Sequence, residues 1–161
     1  FDARAIDKLH AMCDAAKYDG VNLTVISAYR TNDFQISNFN RKVDRVMAAN
    51  PSLTREEAEI EAATVVARPG TSEHQTGLCC DLHNLPGADK AFANEEAYDW
   101  LCENAWKFGF ILRFPKDKTY ITTIQFEPWH YRFVGRYHAK QIHDSGLCLE
   151  EYVANLSNSY E

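Results

Sequence analysis

Two short stretches of the chain hold the residue types of a catalytic zinc centre. Ser72-Glu73-His74-Gln75-Thr76-Gly77-Leu78-Cys79-Cys80-Asp81 and Glu127-Pro128-Trp129-His130 supply two imidazoles, a carboxylate and a further glutamate. Three nitrogen and oxygen ligands leave a fourth position for water, whereas a structural zinc is usually closed by four ligands. Zinc bound in this way lowers the pKa of its water to about 7 and so supplies a nucleophile at neutral pH. Amide hydrolysis also needs a base that passes a proton to the leaving amine, and Glu127, three residues before His130, fits that task.

The spacing is not that of a His-Glu-x-x-His helix, in which two histidines share one helical face. His74 and Asp81 are separated by an irregular stretch containing Gly77, suited to a turn leading into a strand over Gly77 to Leu82. Strand alternation then points Asp81 and Cys79 toward the metal, with Cys80 and Leu82 toward the core. A strand over Trp129 to Val134 likewise puts His130, Arg132 and Val134 on one face and Trp129, Tyr131 and Phe133 on the other. Two separate segments of one sheet thus hold the metal.

The pattern Ser-x-His-x-x-Gly-x-x-x-Asp followed by Glu-x-x-His resembles the zinc peptidases grouped as lysostaphin, D-Ala-D-Ala peptidases and sonic hedgehog, specifically the VanY-type D-alanyl-D-alanine carboxypeptidases. Ser27-Ala28-Tyr29-Arg30-Thr31 is similar to that family's Ser-Gly-Tyr-Arg-Ser segment, and Gly109 to Pro115 with Glu127 to Gly135 resembles its C-terminal half. The resemblance implies one zinc per chain on His74, Asp81 and His130, with Glu127 as general base and acid. It also implies that Arg30 donates to the scissile carbonyl or its oxyanion, and that Ser72 and Gln35 hold the substrate's terminal carboxylate. A guanidinium suits that task because its fork of donors stays charged at any working pH.

Three positions depart from the family's usual pattern. Cys79 stands where alanine is common, followed by Cys80 where valine is frequent; a thiol facing the metal is a competing ligand or oxidation target. Phe114 replaces a usual tyrosine, and Thr123 a common glycine in the turn before the last strand. These bear on substrate preference more than on reaction type.

The implied activity is removal of the terminal D-Ala from peptidoglycan stem peptides. An L,D-carboxypeptidase acting on tetrapeptide stems, an endopeptidase cutting cross-bridges and a zinc-containing binding module are the alternatives. Glu127 and Arg30 beside the ligands favour catalysis, since a binding module needs neither.

At 161 residues the chain suits one domain over 1–161, and its 45% hydrophobic and 25% charged residues are those of an ordinary soluble protein. A net charge of −6 argues against nucleic acid. No apolar run approaches the roughly 20 residues of a membrane helix, and a monomer is expected. The chain begins at Phe1 rather than Met, so an export or anchor segment missing from it, and a place in the bacterial cell envelope, are the expectations from resemblance. The five cysteines, Cys13, Cys79, Cys80, Cys102 and Cys148, show no metal-binding spacing and read as small buried hydrophobes, with a disulfide among Cys13, Cys102 and Cys148 the alternative. Of the histidines, His10, His138 and His143 read as bystanders; His83, two residues beyond Asp81, is the rival ligand. Arg68 and Arg113 read as structural.

Positioning these residues takes helices over Asp2 to Lys17, Asn32 to Asn50, Thr54 toward Val66, Asn94 or Glu95 to Gly109, His138 to Asp144 and Leu149 to Leu156. Thr54-Arg55-Glu56-Glu57 is a capping box. Strands are expected over Val21 to Ser27, Gly77 to Leu82, Phe110 to Phe114, Ile121 to Phe126 and Trp129 to Val134, with a turn at Pro115-Lys116-Asp117-Lys118. The fold class is α+β: a mainly antiparallel central sheet flanked by helices, with the zinc site in a cleft on the sheet.

Overall fold

The computed structural model describes residues 1–85 and 87–158. Strands β1 (Thr24–Ser27), β2 (Cys79–His83), β3 (Phe110–Leu112) and β4 (His130–Phe133) form one antiparallel sheet in the order β1-β2-β4-β3. Alternation divides its faces. Cys80, Leu82 and Tyr131 enter the main core with Leu9, Met12 and Ala16 of helix α1 (Ile6–Tyr18) and Ala97 and Leu101 of helix α4 (Glu96–Asn104). Asp81 pairs with His130, and Cys79 with Arg132, on the opposite face.

Helix α2 (Asn32–Ala49) starts at Thr31, whose Oγ1 accepts from the Phe34 amide at 3.2 Å. Helix α3 (Arg55–Ala63) carries the expected capping box, with Thr54 and Glu57 satisfying each other's backbone amides. Phe39, Val43 and Val46 of α2 pack against Ala58 and Ala62 of α3 in a second apolar cluster beside the cleft. After the four-residue helix α5 (Thr119–Thr122), helices α6 (Arg136–Ser145) and α7 (Leu149–Asn158) cover Ile111 of β3 in a third.

The strand expected over Ile121 to Phe126 does not form. β4 already pairs with β2 on one side and β3 on the other, so it offers no edge to a further strand. The segment instead makes the turn of α5, after which Gln125 donates its backbone amide to the Thr64 carbonyl at 2.8 Å. All five cysteines are free, so the alternative disulfide is absent, and Cys102 is exposed rather than buried. Among the described residues no helix is long and apolar enough to cross a membrane.

Candidate metal centre

His74 lies in a 3-10 turn over Glu73–Thr76 that ends at Gly77. Gly77 has φ 69°, and a Cβ there would lie 3.2 Å from the Asp2 backbone nitrogen, so both conformation and space favour glycine. The turn is tied to the loop after β1: the Arg30 amide donates to the His74 carbonyl at 3.0 Å, and His74 Nδ1 faces the Ala28 carbonyl at 2.6 Å. With Nδ1–H donating, Nε2 is the nitrogen turned toward Asp81 and, once it gives up its proton, the one open to a metal.

Asp81 Oδ1 lies 3.3 Å from His74 Nε2 and 3.2 Å from His130 Nδ1. Two donors on a tetrahedral zinc with bonds of 2.0–2.1 Å are about 3.3 Å apart. Oδ1 is buried and makes no hydrogen bond among the described residues, an arrangement that ordinarily costs stability unless something satisfies the group. These donors therefore fit a zinc ion. The Cys79 thiol belongs to the same cluster, its sulfur and the two imidazoles lying within 4.8 Å of one another.

The electrostatics favour a cation. Burial alone would lower the imidazole pKa values, but Asp81 and Cys79 outweigh it, raising His74 to about 9 and His130 well above the ordinary imidazole value. Burial would raise the Asp81 carboxyl, yet the imidazoles hold it well below the usual range. Glu127 behaves oppositely. Burial and the Asp81 charge push it up to about 7, against the opposing pull of His130, His74 and Arg30, and its Oε2 stands 3.5 Å from His130 Nδ1. Such a pKa suits a group that must take and return a proton near neutrality.

A cleft of about 590 Å³ opens over this cluster, and its lining includes Arg30, Gln35, Ser72, His74, Asp81, Glu127 and His130. Arg30 donates through Nε to Ser27 Oγ at 3.0 Å and through Nη2 to Asp81 Oδ2 at 2.9 Å. Gln35 donates Nε2 to the Ala67 carbonyl at 2.7 Å, and its Oε1 is buried without a partner among the described residues. Phe114 tilts against the His130 ring at a centroid distance of 4.9 Å, and Trp129 reaches the cleft wall.

His83 stands outside this cluster. Its imidazole accepts the Asp89 amide at Nε2, meets the backbone of Leu85 at Nδ1 and stacks on Phe92, so it organises the loop after β2. Sequence reasoning passed over Glu73. Its Oε2 lies 3.5 Å from His130 Nε2, at the outer limit of hydrogen bonding and without hydrogen-bond geometry, while its Oε1 is held by Arg113 at 2.8 Å and Arg132 at 3.0 Å. The available signal was its place beside His74 and the strand alternation that sets Arg132 on the His130 face. Arg68, read as structural, lines the cleft while facing Glu59 at 3.4 Å.

Comparison with known proteins gives the chain a family. The family model VanY, D-alanyl-D-alanine carboxypeptidase, matches residues 1–136. A D-alanyl-D-alanine carboxypeptidase of Enterococcus faecalis is 47% identical over 152 residues, covering 94% of this chain and 55% of the relative. The chain spans about half the length of the curated relatives it matches first. The vancomycin-resistance D,D-pentapeptidase VanY of a VanB-type cassette, solved as a mutant with Zn(II), superposes with a TM-score of 0.83 at 46% identity, covering 95% of this chain and 83% of that one. The LdcB LD-carboxypeptidase superposes at 0.80 with 38% identity, covering 96% and 68%.

Proposed function

Because the chain belongs to the VanY family, D-alanyl-D-alanine carboxypeptidase, we propose that it is a zinc-dependent carboxypeptidase removing the C-terminal D-Ala from peptidoglycan stem peptides in the cell envelope. His74, Asp81 and His130 would hold one zinc per chain. The observation that carries this reading is the buried Oδ1 of Asp81, set 3.3 and 3.2 Å from two imidazole nitrogens without a hydrogen bond among the described residues, with Glu127 beside them.

When bound there, zinc supplies a Lewis acid and an activated water. Glu127, with its carboxyl near 7, takes the proton of the attacking water and returns it to the leaving amine of D-Ala. Arg30 braces Asp81 through Nη2; its Nη1, without a hydrogen bond among the described residues, is free to meet the carbonyl oxygen as charge develops. The second Nε2 proton of Gln35 and the Ser72 hydroxyl serve the terminal carboxylate. Gln35 Oε1 is left to accept a substrate N–H. Removing the Arg30 donor from the developing oxyanion is expected to cost about 10²- to 10³-fold in turnover.

The similarity to LdcB favours an L,D-carboxypeptidase as second reading. Discrimination lies in how the cleft treats the chirality of the residue before the scissile bond. Mass-spectrometric analysis of pentapeptide and tetrapeptide stems, incubated with zinc-loaded and chelated protein, tests both. Loss of one D-Ala from the pentapeptide alone is expected. Loss from the tetrapeptide would move the assignment to L,D chemistry, internal fragments would indicate an endopeptidase, and no product with zinc bound would leave a binding module.

A further inference from the structure

We propose that the Cys79 sulfur is a protein ligand of the metal together with His74, Asp81 and His130. The inference rests on the metal-site reading above and extends it to a residue that the Ser-x-His-x-x-Gly-x-x-x-Asp pattern leaves free.

Cys79 opens β2 two residues before Asp81, so the strand's pleat sends both side chains to the same face. Its partner across the ladder is Arg132, two residues from His130 on the same face of β4. The thiol is completely buried, and its sulfur and the ligand nitrogens of His74 and His130 lie within 4.8 Å of one another. Two donors on a tetrahedral zinc, with bonds of about 2.3 Å to sulfur and about 2.1 Å to nitrogen, are about 3.6 Å apart. Rotamer adjustments of up to about 1 Å therefore close the cluster on an ion.

A second observation points the same way. Asp81 Oδ1, in a side chain 6% exposed, faces the same two imidazoles and makes no hydrogen bond among the described residues. The sulfur and the carboxylate oxygen thus both address the same pair of imidazoles, and the carboxylate oxygen lacks the hydrogen bond a buried acceptor requires. Cys79 is absent from the lining of the cleft, so its sulfur meets the imidazoles from the sheet side. It would therefore add to the three ligands from behind and leave the cleft side to water and substrate, which requires the ion to accept five ligands, as catalytic zinc can.

Ligation breaks the S–H bond as the sulfur–metal bond forms, and the thiol proton leaves to solvent, as metal uptake by thiols generally requires. Thiolate binds zinc well, so the added donor tightens retention of the ion.

Cobalt(II) in place of zinc reads the proposal without reference to turnover. Wild-type protein loaded with cobalt is expected to show both ligand-field bands and a near-ultraviolet sulfur-to-cobalt charge-transfer band. Cys79→Ala should keep the ligand-field bands and lose the charge-transfer band, and should bind zinc at least about tenfold more weakly in chelator competition. Cys80→Ala should keep the charge-transfer band, because Cys80 packs in the core on the opposite face. A wild-type spectrum without the band, or a band that survives Cys79→Ala, would overturn the proposal while leaving His74, Asp81 and His130 in place. Cobalt failing to bind at all would overturn both the proposal and the metal-site reading.

Discussion

Arg30 donates to Oδ2 of Asp81 at 2.9 Å while the other carboxylate oxygen, Oδ1, faces the two imidazoles. One guanidinium therefore orients a candidate metal ligand and borders the cleft in which charge develops. Arg30→Lys keeps the positive charge and removes the fork. The expected outcome is a loss of about 10- to 100-fold in zinc affinity, from the disturbed outer partner of Asp81, and a further fall in turnover at saturating zinc. Isothermal titration with zinc, paired with kinetics, separates the two. Unchanged affinity with lost turnover would leave Arg30 only its oxyanion role.

Glu127 is the one carboxylate in the cluster whose surroundings favour its neutral form, at about 7. Replacing it with Gln preserves volume and removes the group proposed to carry the proton. Glu127→Gln should retain zinc and lose about 10²- to 10⁴-fold in turnover, whereas His74→Ala should lose both metal and activity. Stoichiometric zinc analysis beside an assay for released D-Ala decides this. Undiminished release by Glu127→Gln would remove it from the mechanism.

The two candidate metal-binding segments were legible because strand alternation fixes side-chain direction: Asp81 with Cys79, His130 with Arg132, and Cys80, Leu82 and Tyr131 inward all follow from a period of two. The capping box at Thr54 was legible because it is purely local. Pairing was not. Ile121 to Phe126 has the composition of a strand, but whether it pairs depends on its neighbours, and β4, the strand that follows it, is already flanked by β2 and β3. His83 shares the alternation of Asp81, yet the loop turning back after it, with Leu85 and Asp89, captures its imidazole. Glu73 was obscured because its contacts with Arg113, Arg132 and His130 all cross long stretches of sequence.

Thr123 occupies the left-handed region at φ 62°, the one non-glycine among the described residues to do so, and it caps α5 beside the cleft. A β-branched residue there costs about 1–3 kcal/mol, offset by the roughly 0.5–1 kcal/mol of chain entropy that a glycine loses on folding. Thr123→Gly is expected to stabilise the protein by about 1 kcal/mol, raising Tm by about 2–4 °C. Differential scanning calorimetry measures it. A lower Tm would mean that the threonine side chain contributes more than its backbone strain costs.

The centre is also tied to the C-terminal helix. Glu150 at the start of α7 receives Arg113 in two-pronged fashion, Nη1 at 3.0 Å and Nη2 at 2.6 Å, while the same guanidinium holds Glu73 through Nε at 2.8 Å. Burial would raise the Glu150 carboxyl, but Arg113 outweighs it and holds the pKa below the ordinary glutamate value. Because the folded state binds its proton more weakly than the unfolded chain does, the stabilisation is complete above the ordinary value and disappears as pH falls through the folded one. Glu150→Gln should therefore melt below wild type at neutral pH, with the gap closing in acid. A gap that persists unchanged through the acid range would show that the carboxylate's charge is not what joins α7 to Arg113. Zinc affinity measured on the same variant at neutral pH then reports whether loosening Arg113 reaches His130 through Glu73, with a decrease expected because Oε2 of Glu73 faces Nε2 of that imidazole.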